Sequence, residues 1–305
     1  MYVGIDVSKS RLDVKGNNWA KPEQYRNTSN GVQKLVKKLG DAKVELVVME
    51  ATGGYERLSA KALQEAGIKL AVMNPWQVRN FAKGLGLRAK TDAIDAELLS
   101  KFGETVKPAV TKVLNDEEYE LRQLLKRRMQ LVAQRVQEKN RLENTTAAVR
   151  KSIREVIKSL KAQIKAITAQ IEKLIDKDEA LKENAAILQS AKGVGKIVAF
   201  SFCGMLPELG KLNRKQIAAL VGVAPFNHDS GNHTGQRTTA GGRSEIRSLL
   251  YMATLTAIRC NPKIKSYYKK LVISKGKKKK VALVACMRKF LVCLNAMLKT
   301  KKNWI

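Results

Sequence analysis

The sequence predicts an α/β domain joined to an all-α region, and three observations predict it. Strand-like apolar runs alternate with helix-period runs over residues 1–107. From Asp116 to Asp178 apolar residues recur at helical spacing, with neither proline nor glycine to interrupt them. From residue 183 onward the apolar runs are helical and separated by glycine-bearing turns. The chain therefore divides into an α/β domain (1–107), a linker with a helical coiled-coil segment (108–182) and a helical C-terminal domain (183–305).

In the first region YVGIDVS and RLDVKGN read as the arms of a hairpin. SNGVQKLVKKLG is an amphipathic helix capped by Ser29 or Asn30, and VELVVME is a buried strand. YERLSAKALQEAG is a helix closed by Gly67, KLAVMNP a strand stopped at Pro75, and WQVRNFAKGLG the start of a further helix. In the second region Leu121, Leu125, Met129 and Val132, then Ile153, Ile157, Leu160 and Ile164, mark a long helical hairpin with polar residues on its other faces. A pair this long needs cover for its apolar seam, so pairing between subunits is expected, a simple bundle being the alternative. In the third region Gly193-Val194-Gly195 between two helical patterns resembles a helix-hairpin-helix turn, a plain interhelical turn being the alternative. LNRKQIAALVGVAPF leads to a glycine-rich loop, and IRSLLYMATLTAIRC and VALVACMRKFLVCLNAMLK read as core helices. Trp76 and Tyr55 are read as core residues, with stacking on RNA the alternative.

The chain has 305 residues, and 58 Lys and Arg against 27 Asp and Glu give a formal charge of +31. A soluble domain ordinarily carries about 2–8 charges in magnitude, so the excess points to a polyanion. No run reaches the roughly 18 consecutive apolar residues of a spanning helix, and no signal peptide opens the chain. Nucleic acid is favoured over membrane. The four cysteines show no CxxC pairing, and Cys286 and Cys293 lie in an apolar helical run, which argues against structural zinc and for a reducing cytoplasm.

Four acids stand out against this basic background. Asp6 and Glu50 follow strand-like apolar residues, where a lone charge is costly. Asp92 and Asp95, in TDAID, are i,i+3 on a helix and share a face. Each has a structural alternative: turn residue, cap, or helix N-cap. Together they form the donor set for divalent ions held against a phosphodiester, two Mg²⁺ being expected and Mn²⁺ the alternative. Ser230, in His228-Asp229-Ser230-Gly231 with His233 nearby, is a candidate nucleophile if a base or metal activates it, and an ordinary polar turn otherwise. Thr238, Thr239 and Ser244 are rival hydroxyls. Arg237, Arg243 and Arg247 suit phosphate clamping, the last two being i,i+4, with solvated surface charge the alternative. Further candidate phosphate contacts are Arg88, Lys90, the backbone at Gly193 and Gly195, Lys196, and the exposed run Lys277, Lys278, Lys279 and Lys280.

Taken in order, YVGIDVSK, VVMEATGGYE, NPWQVRNFAKGLGLRAKTDAIDA, the GVG turn, ALVGVAPFNHDSG and GQRTTAGGRSEIRSLLYMA make the chain similar to the insertion-sequence 110 family of transposases. The resemblance runs from residue 2 to about 260. It implies an RNase H/RuvC-like N-terminal domain in which Asp6, Glu50, Asp92 and Asp95 form a DEDD metal site. It also implies a smaller C-terminal transposase domain with Ser230 as nucleophile, donor and target DNA as substrates, and a structured noncoding guide RNA. A homo-oligomer, dimer or tetramer, working on the nucleoid of a bacterial or archaeal cytoplasm is expected. Two other readings use the same residues: a RuvC-like junction nuclease that employs water, and a non-catalytic nucleic-acid scaffold.

Overall fold

The computed structural model describes residues 1–87, 92–143, 145–227, 229, 235 and 237–305, the side chains of 92–94 excepted. It divides into two compact units, 1–114 and 115–305.

The first unit is built on a five-stranded mixed sheet. Its strands are β1 (Tyr2–Val7), β2 (Arg11–Gly16), β3 (Glu23–Arg26), β4 (Leu46–Glu50) and β5 (Leu70–Met73), in the order β3-β2-β1-β4-β5. The pairs β1–β2 and β2–β3 are antiparallel, whereas β4 runs parallel to both β1 and β5. Helices α1 (Ser29–Gly40), α2 (Arg57–Glu65), α3 (Pro75–Gly84) and α4 (Asp92–Val106) cover the sheet. The strand period of two sorts the side chains between two cores. Val3, Ile5, Val7, Val47 and Met49 join the apolar faces of α1 and α2, including Val32, Leu35 and Leu63. Leu46, Val48 and Ala71 join Val78 of α3 and Leu98, Leu99 and Phe102 of α4. The mixed sheet with helices on both faces is compatible with an RNase H-like domain.

Three local expectations are corrected here. The cap of α1 is Thr28, whose side chain accepts from the Gly31 N–H, and Ser29 is already helical. Strand β3 was not foreseen; its short EQYR run is half exposed and carries no apolar stretch. Trp76 and Tyr55 are not core residues, being 71% and 49% exposed. Both sit just past the ends of parallel strands, where the chain leaves the sheet. Pro75 does end the β5 run, and it also opens α3 with Asn74 as cap.

The second unit is helical: α5 (Asp116–Arg141), α6 (Ala147–Lys177), α7 (Glu179–Gln189), α8 (Lys196–Met205), α9 (Arg214–Val221), α10 (Ser244–Cys260), α11 (Pro262–Lys269) and α12 (Lys279–Thr300). A two-stranded hairpin, β6 (Pro225–Phe226) and β7 (Thr238–Thr239), interrupts it. Helices α5 and α6 form a long hairpin. Leu121, Leu125, Ile171 and Ile175 at its base belong to the main core with Phe202, Leu250, Phe290 and Leu294. Farther out, Leu131, Leu160 and Ile164 make a small core of their own. Helix α12 is long and apolar enough to cross a membrane by length and composition alone, but half of that window is buried in this unit. Its apolar face is accounted for by the core, where Cys286, Phe290, Leu291 and Leu294 are fully enclosed.

Candidate active site and nucleic-acid surfaces

Asp6 and Glu50 are brought together by register. Ile5 pairs with Met49 across the parallel β1–β4 ladder, so the next residues, Asp6 and Glu50, stand level on adjacent strands. Glu50 has the parity of Leu46 and Val48, and Asp6 that of Gly4; both side chains therefore leave the sheet on the α3–α4 face. Helix α4 crosses β1 on that face. A Cβ at Gly4 would lie 2.0 Å from the Ala96 carbonyl oxygen and 2.4 Å from the Ser100 nitrogen, so only glycine lets the helix seat here. The Ser100 hydroxyl donates to the Tyr2 carbonyl at 2.9 Å. Ser100 thus stands at Tyr2 and Ala96 at Gly4, which sets the N-terminal turn of α4, with Asp95, toward the Asp6 end of β1. Asp92 is the first residue of that helix, and its side chain lies outside the described residues. Among the described residues no group of three His, Cys, Asp or Glu side chains is placed to hold a metal.

The turn after Glu50 is tightly organised. Glu56 accepts from the Thr52 N–H at 3.1 Å, the Thr52 hydroxyl at 2.9 Å and the Gly54 N–H at 2.8 Å. Burial pushes this carboxyl up, but these hydrogen bonds outweigh it and hold it below the ordinary carboxylate value. Gly53 and Gly54 take positive φ, as the turn requires. One acid was missed by sequence reasoning. Asp13 is the cross-strand partner of Asp6, on the same face, and is only 7% exposed. It is held by Arg11 Nε at 3.1 Å and Gln24 Nε2 at 2.7 Å. Its alternation within RLDVKG was the available signal.

In the second unit Ser230, His228 and His233 lie outside the described residues, as do Arg88 and Lys90 in the first. The loop that carries them joins β6 to β7, and within it Asp229 accepts from the Gly235 N–H at 3.1 Å. Arg243 is engaged inside the protein: its guanidinium grips Glu208 at 2.7 and 2.5 Å and donates to the Met205 carbonyl at 3.1 Å. Arg247 donates to the Gly241 carbonyl and, at 3.3 Å, to that of Val221. The i,i+4 arginines thus both have internal partners. Gly193 is also explained by packing, since a Cβ there would come 2.7 Å from the Ala257 Cβ on α10. Gly195 caps α8 with open space around it, and Lys196 pairs with Glu172 at 3.0 Å.

The lysine run is arranged differently. Lys277 to Lys280 are exposed, and Lys279 and Lys280 occupy the first turn of α12. Cations at a helix N-terminus oppose the macrodipole, a local cost that an anionic partner would offset.

Comparison with known proteins bears on this combination of a carboxylate-bearing sheet face and a basic helical unit. Residues 3–150 match the family described as a transposase, in its DEDD form of the IS110 kind. Residues 185–269 match the transposase IS116/IS110/IS902 family. The chain belongs to the IS110 family of transposases. It is accordingly an enzyme of DNA strand transfer, and its family suggests dependence on a divalent metal. The transposase is 28% identical over 313 residues to the pilin gene-inverting protein of Moraxella bovis, covering 99% of this chain and 96% of that protein. A pilin gene-inverting protein of Moraxella lacunata is similar to the same degree. The transposase for insertion sequence element IS1111A of Coxiella burnetii is 23% identical over 261 residues, covering 75% of this chain and 70% of that one.

Proposed function

We propose that this transposase cuts and rejoins DNA strands through Ser230, assisted by a divalent cation held by Asp6, Glu50, Asp92 and Asp95. The observation that carries this reading is the level placement of Asp6 and Glu50 on one sheet face, crossed at Gly4 by the helix that bears the other two acids. The donor set is all carboxylate oxygen, which suits a hard ion such as Mg²⁺. That ion, when bound, neutralises phosphate charge and lowers the pKa of a hydroxyl it touches. The four carboxylates would hold that cation, which would supply the positive charge that a scissile phosphate needs beside four acids. The Ser230 hydroxyl gives up its proton and attacks phosphorus, a deoxyribose oxygen leaves as the alcohol, and a phosphoserine diester results. A hydroxyl from a second strand then attacks that diester, restoring serine and one phosphodiester. Bond energy is conserved, as inversion of a gene segment requires, and the gene-inverting relatives support this over hydrolysis by water.

Residues 1–107 supply the metal site, 183–305 the nucleophile, and 108–182 the pairing of subunits that makes a composite site conditional on assembly. Donor and target sites are selected by a structured noncoding RNA, and the reaction takes place on cytoplasmic DNA. Phosphate contacts are assigned to Arg88, Lys90, Arg237 and Lys277–Lys280, with weaker support for Lys196, Arg243 and Arg247 because each already has a partner. The test is covalent trapping with Mg²⁺, cognate RNA and labelled DNA. A denaturation-resistant protein–DNA band is expected in the wild type and absent in Ser230→Ala and Asp92→Ala. Cleavage that survives Ser230→Ala without any such band would replace serine by water.

A further inference from the structure

Between α12 and the β6–β7 hairpin the second unit holds an open groove of about 1050 Å³. Its rim carries Arg214, Lys215, Arg237, Lys278, Lys280 and Arg288, and none of the described residues lining it is acidic. Its floor is apolar. Val281, Val284, Ala285 and Val292 follow one another at i, i+3, i+4 and i+11 along α12, on the side turned away from the buried Cys286 and Phe290. Tyr267 closes one side, with Lys289 Nζ 4.1 Å from its ring centroid.

We infer that this groove binds one unpaired DNA strand, its phosphates on the basic rim and its bases or sugars on the valine floor. A duplex presents a polar, phosphate-lined exterior, which would use the rim and leave the floor without an apolar partner. An unpaired strand exposes both chemistries at once, phosphates for the rim and apolar base faces or sugars for the valine floor. A second copy of this chain is a poor occupant of this groove, because its surface, with 58 Lys and Arg against 27 Asp and Glu, has few acids to meet an all-basic rim, whatever pairs the subunits elsewhere. The four lysines set against the dipole of α12 have the same explanation, since a strand phosphate there would offset both repulsions. The inference rests on the reading of this unit as the one that handles the cut strand, because the hairpin beside the groove carries the Ser230 loop.

The experiment measures anisotropy of a labelled DNA strand, the same strand in a duplex, and its RNA equivalent. It uses the full-length protein in chelator, with wild type, Val281→Glu and Arg288→Ala. Val281 is 51% exposed, so its replacement leaves the fold intact, and it decides the matter alone if Arg288→Ala fails to fold. Val281→Glu is expected to weaken strand binding about tenfold, because it sets a carboxylate where apolar base or sugar surface would be buried, and to weaken the duplex less, through charge alone. Arg288→Ala is expected to lower the salt slope for the strand by about 1. Equal losses for strand and duplex, or no loss in either, would overturn the inference, and tighter binding of the RNA strand would overturn the choice of DNA. Because no cleavage is needed, the two proposals fail separately. Strand binding lost in Val281→Glu with no covalent band in the trapping assay sinks the serine and leaves the groove. A covalent band with unaltered strand binding does the reverse.

Discussion

Gly4 is the residue through which the two halves of the carboxylate face are aligned. A methyl group at this position meets backbone on α4 rather than a flexible side chain, so the helix must lift. Gly4→Ala is expected to cost about 1–3 kcal/mol in thermal unfolding, and to abolish strand transfer although all four acids remain. Glu56 gives a prediction with a definite sign. Its folded-state pKa lies below the ordinary 4.5, so its stabilisation is present above that value and disappears as pH falls through the folded-state pKa. Glu56→Gln is expected to lower stability by about 1–2 kcal/mol at neutral pH. In melts taken across acid pH the gap between the two proteins should close. A gap that persisted at pH values below the folded-state pKa would assign the loss to something other than the charged carboxylate. Arg243 was legible as a basic residue but its partner was not, because Glu208 is 35 residues away in sequence and no spacing rule joins them. Arg243→Ala removes the cation that, against the effect of burial, holds the Glu208 carboxyl low. Its stability loss should therefore be largest at neutral pH and shrink in acid.

The helical hairpin shows where sequence patterns suffice and where they stop. Its apolar period named Leu160 and Ile164 correctly as seam residues, because a 3.6-residue period needs no tertiary information, whereas Leu131, buried with them, was passed over for its neighbour Val132. The same period assigned every arginine to the outer faces, yet Arg128 turns inward to the Thr168 hydroxyl at 2.9 Å. Burial pushes its pKa down. Arg122 and Arg135 likewise bring buried Nε atoms into the helix with no hydrogen-bond partner among the described residues. Long aliphatic stems allow this, and composition cannot reveal it. Toward the tip Val136, Val149 and Val156 remain 44–48% exposed. If the hairpins pair between subunits through these residues, Val156→Glu should shift the protein toward monomer in light scattering while its melting temperature is retained. An unchanged mass would place the subunit contact elsewhere. Strand β3 was illegible for a related reason: an edge strand with one neighbour needs no apolar face, so its sequence carries no strand signature.

At the scale of the whole molecule, the net charge predicted a polyanion and said nothing of where it lies. The structure separates cations that are spent inside the fold, such as Arg243 and Arg247, from those left on a groove rim, such as Arg214 and Lys215. Tyr55 and Trp76 show the converse limit. Core packing was the role expected of both, and only the topology revealed that both residues follow strands ending at the Glu50 edge. The fit between Gly4 and α4 also bears on how such elements decay. Any side chain at position 4 meets the backbone of the acidic helix, so copies of the element that keep all four acids but fill that position are expected to be silent ones.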